Sequence, residues 1–263
     1  MAGRFLFGLM VVLAQPHWAE AGAWTQPEDR GIIIITGSRT VTPVRAWFGG
    51  VIEEDTSSQG MFLEYGLWDD LTVGVTTFAE YGNAGEIFEA RAGVHARHRI
   101  WTGEAGDVAS VQVGVSVPTE RWFGSTLGDD RPDSATEVDF RVLYGRGWQW
   151  DLGNSFVSGE LGLRIRAEGL DEQLRFDMTV GHEVWDGYLF LGSVFSSFPL
   201  GKRDEVSIKL SPSFAFTLWP RLAANEKKPW RPFYPTTLQT GLTWDASQPN
   251  SGMEVGMSIW NRF

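Results

Sequence analysis

The amino-acid sequence predicts an all-β chain that folds as a transmembrane, antiparallel, up-and-down β-barrel of about 12 strands. Three observations support this prediction: apolar and polar residues alternate along many segments, charged residues lie on the polar side of those segments, and tryptophans recur near every other connection. The 263 residues include no cysteine and carry a net charge of −11. This composition excludes a disulfide framework and a thiolate metal site, and it argues against general nucleic-acid binding.

Residues 1–21 have the pattern of a secretory signal peptide. Arg4 supplies a short positive region, residues 5–14 are apolar, and Ala19 and Ala21 form a small-x-small cleavage site. The apolar run is too short to cross a bilayer as a helix. We therefore predict cleavage after Ala21, with residues 22–263 forming the barrel.

Alternation with a period of two residues defines the predicted strands. In the segment 71–80, Leu71, Val73 and Val75 lie on one face, whereas Thr72 and Thr76 lie on the other. Turn-rich stretches separate this segment from others of the same kind. The predicted strands occupy residues 31–38, 58–66, 70–81, 86–99, 107–118, 135–146, 154–167, 171–182, 187–198, 205–217, 236–244 and 252–263. The phase of the first strand is ambiguous because residues 32–35 are all isoleucine.

Charged side chains recur on the polar face, well inside the strands. A water-soluble barrel would bury this face at a high cost, whereas a membrane barrel directs it into the lumen. Acids and bases nearly balance, which fits either a mixed-charge aqueous channel or a lumen plugged by salt bridges. The candidate lumen-lining residues are Glu89, Arg91, His95, Arg97, Glu137, Asp139, Arg141, Glu160, Arg164, Arg166, Arg175 and Asp177. The polar face also carries aromatic residues on which sugar rings could stack, namely Phe62, Phe78, Phe156 and Trp260.

Tryptophans lie near alternate connections along the chain. Strands that run up and down bring alternate connections to the same end of a barrel, so these side chains are predicted to form an aromatic girdle at one membrane interface. The predicted girdle contains Trp68, Trp101, Trp148, Trp150, Trp185, Trp219 and Trp260.

The chain ends in Phe263, in register with Val255, Met257 and Ile259 of an apolar period-two strand. A terminal aromatic residue after such a strand resembles the C-terminal signature of bacterial outer-membrane barrels, from which Asn261 departs. The signature implies contact with the barrel insertion machinery and a location in the outer membrane of a Gram-negative bacterium. Outer-membrane lipid and lipopolysaccharide are the other predicted partners, and nucleic acid is not one.

The predicted orientation follows from a periplasmic C-terminus. It places the connections 39–57 and 119–134 outside the cell and the connection 220–235 in the periplasm. Acidic clusters in the first two connections are interpreted as solvated, with divalent cations near lipopolysaccharide as the alternative. Basic and aromatic residues in the third could contact a periplasmic partner, although a mispredicted strand would also explain its length.

The sequence contains no recognisable catalytic constellation. His95, His98 and His182 lack the serine two residues later that outer-membrane phospholipases use, and Asp69 and Asp70 lie in a predicted periplasmic turn. His95 and His98 are three residues apart, so they face opposite sides of a strand and cannot share a metal ion. We therefore predict a protein that is not an enzyme and that has no catalytic residues, no metal ion and no cofactor.

The residues after the predicted cleavage site resemble the start of the XagA-type outer-membrane proteins. The matching residues are Ala23-Trp24-Thr25-Gln26-Pro27-Glu28, followed by Gly31 and an apolar strand, and the stretches 66–74 and 260–263 are also similar. This family is associated with gene clusters for an adhesive surface exopolysaccharide. The resemblance implies a role in exporting or organising that polymer, with the polymer or a periplasmic export protein as partner. Because the sequence has no nucleotide-binding motif, we predict a passive channel. A small-solute or oligosaccharide porin and a closed structural or adhesion barrel are the alternatives.

Overall fold

The structure, a computed structural model, describes residues 22–45, 51–81, 87–104, 106–119, 135–150, 153–167, 169–185, 187–201, 205–218, 236–247 and 253–263. Each strand is antiparallel to the next in chain order, and the first strand also pairs with the last, so the sheet closes on itself. The prediction of a twelve-stranded antiparallel barrel is confirmed. The strands are β1 (Gly31–Arg45), β2 (Val51–Trp68), β3 (Leu71–Tyr81), β4 (Ile87–Thr102), β5 (Val108–Pro118), β6 (Glu137–Trp150), β7 (Gly153–Arg166), β8 (Gln173–Trp185), β9 (Tyr188–Pro199), β10 (Ser207–Thr217), β11 (Thr236–Asp245) and β12 (Met253–Arg262).

Some sequence-based predictions fall outside the described residues. These are the signal peptide at 1–21, Trp219, the connection 220–235, and all of the connection 119–134 except Thr119.

Alternation sorts the side chains between an apolar exterior and a polar or small-residue interior. On β5 and β6, Val113 pairs with Phe140 and Val111 with Val142, and all of them point outward and are exposed. Between them, Ser110 pairs with Leu143 inside the barrel, and both are fully buried. A wall whose exposed outer residues are Val, Leu, Ile and Phe is suited to lipid rather than to water.

The structure settles the phase of β1. Ile32 is buried and pairs with Glu64, which points inward, whereas Ile35 is exposed and pairs with Met61 on the outer face. Pairing on both sides fixes this choice, because Ile35 also lies opposite the outward Ile259 of β12. The run of four isoleucines does not by itself show which of them point inward.

The first hairpin is longer than the sequence predicted. Instead of a connection at 39–57, β1 continues to Arg45 and β2 begins at Val51. The β1–β2 pairing extends past the last β1–β12 pair, Val41 with Met253, and past the last β2–β3 pair, Ser57 with Tyr81. The hairpin therefore continues as a two-stranded ribbon beyond its neighbours. Its β1 arm is rich in β-branched Thr and Val, which favour extended backbone.

The chain termini meet at one end of the barrel, which we call the termini end. The N–H of Gly31 donates to the carbonyl oxygen of Phe263 at 2.9 Å, and the N–H of Phe263 donates back at 3.0 Å. Phe263 is exposed on the outer face, and Asn261 accepts a hydrogen bond from Thr236 at 2.7 Å. Among the described residues, no helix is long and apolar enough to span a bilayer.

The outward position of Val142 predicts the effect of a charge at that site. Val142→Lys should lower the free energy of unfolding by about 2–4 kcal/mol if the residue lies near the bilayer midplane, because an ammonium group in lipid loses its hydration. Guanidinium unfolding in lipid vesicles measures this change. Thr36→Lys, at an inward and exposed position on β1, is the matched control and should have little effect. Equal losses in the two variants would contradict the assignment of the faces.

Candidate functional site

The predicted tryptophans form a band around the outside of the termini end. Trp68, Trp101 and Trp185 each follow a β-bulge, at which the pairing register shifts by one residue. Strict alternation would turn these side chains inward, but the bulge turns them outward, where they are 59%, 50% and 71% exposed. Trp148 and Trp150 face outward by plain alternation, and their rings lie 6.5 Å apart.

Trp260 does not belong to the girdle, and it lies on the polar face, where the alternation of the last strand also placed it. No bulge interrupts the pairing of β12, so Trp260 turns inward, one residue after the exposed Ile259. Its side chain packs against the interior cluster of Phe156, Leu189, Leu191 and Ala215. Trp260 is therefore part of the filling of the barrel and not of the outer band.

The predicted lumen residues all lie on the inward phase of their strands, and most join one network of ion pairs along β4, β6, β7 and β8. Glu137 accepts from Arg91 at 2.9 Å and lies 3.3 Å from Arg164, and Arg164 also binds Asp139 at 3.1 Å. Arg91 in addition contacts Glu89. Each of these carboxylates therefore has a cationic partner on its own or a neighbouring strand.

The network continues toward β8 and one connection. Arg141 binds Glu160 at 2.9 Å, and Arg175 binds Asp177 at 3.2 Å. Arg166 binds a backbone group as well, since its Nε donates to the carbonyl oxygen of Asp171 at 2.7 Å. The ion pairs therefore line one wall of the lumen and extend to the end opposite the termini.

The opposite wall carries small hydroxyl and amide side chains. They bond to one another across neighbouring strands, at 2.6–3.0 Å, in the pairs Ser38–Ser58, Thr179–Ser193, Gln239–Ser213 and Thr243–Ser211. Phe195 interrupts this polar wall on β9, where it faces the lumen, and it is 39% exposed. The two walls differ in chemistry: ion pairs dominate the first, and hydroxyl groups dominate the second, where Lys209 and Glu254 also face the lumen.

A cavity of about 420 Å³ lies beside the ionic wall, in the half of the barrel away from the termini. Glu89, Arg91, Asp139 and Arg164 are among its lining residues, together with Phe78 of β3. Phe78 points inward, opposite Arg91, and is 37% exposed. The cavity thus offers charges, hydroxyls and an aromatic face to a solute.

The chain segment before β1 fills the other half of the lumen. In residues 22–30, which we call the N-terminal segment, Ala23, Thr25 and Gln26 are buried inside the termini end, whereas residues 27–30 are exposed. Wall side chains bond to its backbone: Ser110 donates to the carbonyl oxygen of Ala23, and Arg97 donates to that of Trp24 at 2.9 Å. Together these contacts form a floor under the cavity.

Three further contacts attach the segment to β3 and to the turn before it. The N–H of Gln26 donates to the Thr72 hydroxyl at 2.7 Å, and the Thr25 hydroxyl donates to the carbonyl oxygen of Asp69 at 2.8 Å. Asp69 also accepts from the N–H of Glu28 through Oδ1 at 3.2 Å. This acid, considered above for catalysis, therefore fixes the N-terminal segment.

A buried carboxylate lies at the centre of the floor. Glu64 is 1% exposed and contacts Arg97, and its Oε1 lies 3.0 Å from His95 Nε2. Gln26 donates to the other carboxylate oxygen at 3.2 Å. Phe62 stacks on the His95 ring, with centroids 5.6 Å apart. His95 and Arg97, predicted to line the lumen, thus lie at a closed level of the barrel.

The floor closes the lumen all round. Near the termini end, inward residues from ten of the twelve strands are at most 5% exposed, although an aqueous bore would expose them. These residues are Ile32, Glu64, Thr72, Arg97, Ser110, Leu143, Phe156, Leu189, Ala215 and Thr237. In the described part of the chain, the lumen is therefore a cup that is closed at the termini end.

The sequence analysis missed this role of the N-terminal segment. Residues 23–28 contributed only to the family resemblance. Because they show no alternation of polar and apolar residues, the sequence does not indicate where they lie relative to the barrel. One signal was available: Trp24 and Gln26 lie a few residues before the first strand, and Glu64 and Arg97 lie near the same end of their strands. A buried pair of charges there requires something to cover it.

The remaining histidines are separated from one another. His98 points outward, opposite Leu71, while His95 points inward, and His182 lies on the outer face with its Nδ1 2.9 Å from the Ser155 hydroxyl. No group of three or more His, Asp or Glu residues that could hold a metal ion occurs among the described residues.

The chain has the fold of outer-membrane β-barrels. It is similar to the crystal structure of an outer membrane channel from Pseudomonas putida F1, with a TM-score of 0.55, 13% identity, and coverage of 95% of this chain and 100% of that one. It is also similar to the β domain of the Bordetella autotransporter BrkA, with a TM-score of 0.47, 11% identity, and coverage of 90% and 99%. No protein-family model and no curated protein matches the chain. At 13% identity, the first similarity establishes a shared fold.

Glu64 provides a test of the floor. Glu64→Ala should lower the free energy of unfolding by about 3–5 kcal/mol, because Arg97 would stay buried without its partner. Glu64→Gln keeps hydrogen-bonding capacity and should cost less. Guanidinium unfolding in detergent micelles measures both variants. Glu254→Ala, at a half-buried inward position on β12, is the control and should change stability by less than about 1 kcal/mol. Equal stability of Glu64→Ala and the control would show that the carboxylate is not essential to the floor.

Proposed function

We propose that the protein is an outer-membrane channel for sugar chains and that it takes part in the export of a surface exopolysaccharide. The observation that supports this most directly is a polar cavity of about 420 Å³ inside a barrel whose outer wall is apolar. The resemblance of residues 23–28 to XagA-type proteins supports export as the direction. The termini end then faces the periplasm, where Phe263 is presented to the insertion machinery.

The lumen chemistry suits an uncharged or weakly charged polymer. Carboxylates and guanidinium groups of the ionic wall pair with each other, so they offer hydrogen bonds without a strong net attraction for ions of one sign. Hydroxyls of the opposite wall can exchange hydrogen bonds with sugar hydroxyls. Phe78 and Phe195 expose aromatic rings to the lumen, and such rings can pack on the apolar faces of sugars.

A closed structural barrel is the second candidate, and one observation favours it. The N-terminal segment and the buried ring of inward residues close the termini end. A barrel with a purely structural role would be closed in this way at all times. In that case the ion pairs would serve only to fill the interior. The two candidates differ in what the cell loses when the protein is removed.

Deletion of the gene in the native bacterium tests the export proposal. We expect less surface polysaccharide, measured by lectin or dye binding, together with accumulation of the polymer in the periplasm, and restoration by the wild-type gene. Phe78→Ala with Phe195→Ala should restore export incompletely, whereas Phe140→Ala, on the outer wall, should restore it fully.

Other results would reject export. Unchanged surface polymer with slower growth on oligosaccharides would indicate a porin for uptake. Unchanged polymer and growth, with a weakened outer membrane, would indicate the structural barrel.

A further inference from the structure

The N-terminal segment is attached to the barrel but is not part of its wall. The closed ladder of hydrogen bonds begins at Gly31, which already pairs with Phe263 and Tyr65. The backbone of the segment pairs with the sheet at an isolated parallel bridge between Glu28 and Gly66, where Asp29 and Arg30 also bond to the Gly66 backbone. Its removal would therefore leave every strand pair of the barrel in place.

We propose that the N-terminal segment is a displaceable gate that closes the lumen at the termini end and opens by withdrawing from it. Several of its contacts are single hydrogen bonds between one wall side chain and its backbone, as for Ser110, Arg97 and Thr72. Single hydrogen bonds of this kind contribute little net stability when water can replace them. Withdrawal exchanges them for contacts with water.

Trp24 is the anchor of the gate. Its ring meets Phe156 edge to face, with centroids 6.2 Å apart and planes at 88°, and it bridges the two buried clusters of the floor. Gly145 forms the notch that receives it, because a Cβ at this position would lie 2.5 Å from the indole ring. The sequence of β6 therefore leaves space for this one side chain.

The wall is also suited to the open state. When Gln26 leaves, Glu64 keeps its contacts with Arg97 and His95, so the carboxylate is still paired in the open state. Water entering from both ends would hydrate these groups. The buried cluster therefore fits a surface that is covered in one state and wet in the other.

A matched pair of glycine variants tests the anchor without changing the gate itself. Gly145→Ala pushes against the Trp24 ring, whereas Gly147→Ala, two residues further along the same inward face, meets only a backbone oxygen at 3.9 Å. In planar bilayers we expect severalfold higher ionic conductance, or more frequent opening, for Gly145→Ala and wild-type behaviour for Gly147→Ala. Heat-modifiable migration on gels verifies that both variants are folded. Equal conductance of the two would overturn the role of Trp24.

A reversible cross-link tests the gate directly. A Cβ at Gly22 would lie 3.0 Å from the Ser158 Cβ, and the natural chain has no cysteine to interfere. A disulfide needs a slightly longer separation of the two Cβ atoms, which a small shift of the backbone at position 22 would supply. Gly22→Cys with Ser158→Cys should show at least severalfold lower conductance when oxidised, and a reducing agent should restore it in the same membrane.

The outcomes separate this inference, which rests on the proposed channel, from the channel's choice of solute. Identical ionic conductance of the oxidised and reduced double variant would overturn the gate while leaving sugar passage intact. Conductance that responds to the cross-link but is never blocked by added neutral oligosaccharides would support the gate and reject sugar passage. Absence of conductance in every variant, including Gly145→Ala, would overturn both.

Discussion

The hydrogen bonding of the backbone in lipid is the constraint on which this structure depends. A sheet in a bilayer cannot leave an edge unpaired, since each free N–H or C=O would cost several kcal/mol. Pairing of β1 with β12 removes that edge, and the mutual bonds of Gly31 and Phe263 complete it at the termini end. Closure then forces every second side chain into a confined interior, so the chain must fill or hydrate that space.

Periodicity made the number of strands and their inward residues predictable, because both follow from local alternation. Features that depend on pairing with a neighbour were not predictable in this way. The phase of β1 needed Glu64 and Ile259 as references, and the outward turn of Trp68 needed a bulge that strict alternation does not reveal. Trp260 shows the converse, because the absence of a bulge in β12 places it inside. The long first hairpin likewise depends on pairing between its two arms.

The interior is filled differently in the two halves of the lumen. Away from the termini, arginines and carboxylates pair along the wall and leave a hydrated cavity, so their charges keep some contact with water. At the termini end, the barrel is filled by Trp24, Phe156 and the backbone of the N-terminal segment. Glu64 is buried there, and its partners Arg97 and His95 belong to the wall rather than to the segment. Charge neutrality of the floor is thus a property of the barrel alone.

This division explains why a closed floor is compatible with a passage. If the wall needed the N-terminal segment to neutralise a buried charge, withdrawal would leave that charge unpaired at a large cost. Instead, the segment contributes Gln26, an uncharged group whose hydrogen bond water can replace, and an indole in a notch made by Gly145. The cost of opening is then mainly the exposure of one aromatic side chain and its apolar neighbours. Binding of a solute or a partner protein in the space that the segment vacates can offset this free energy.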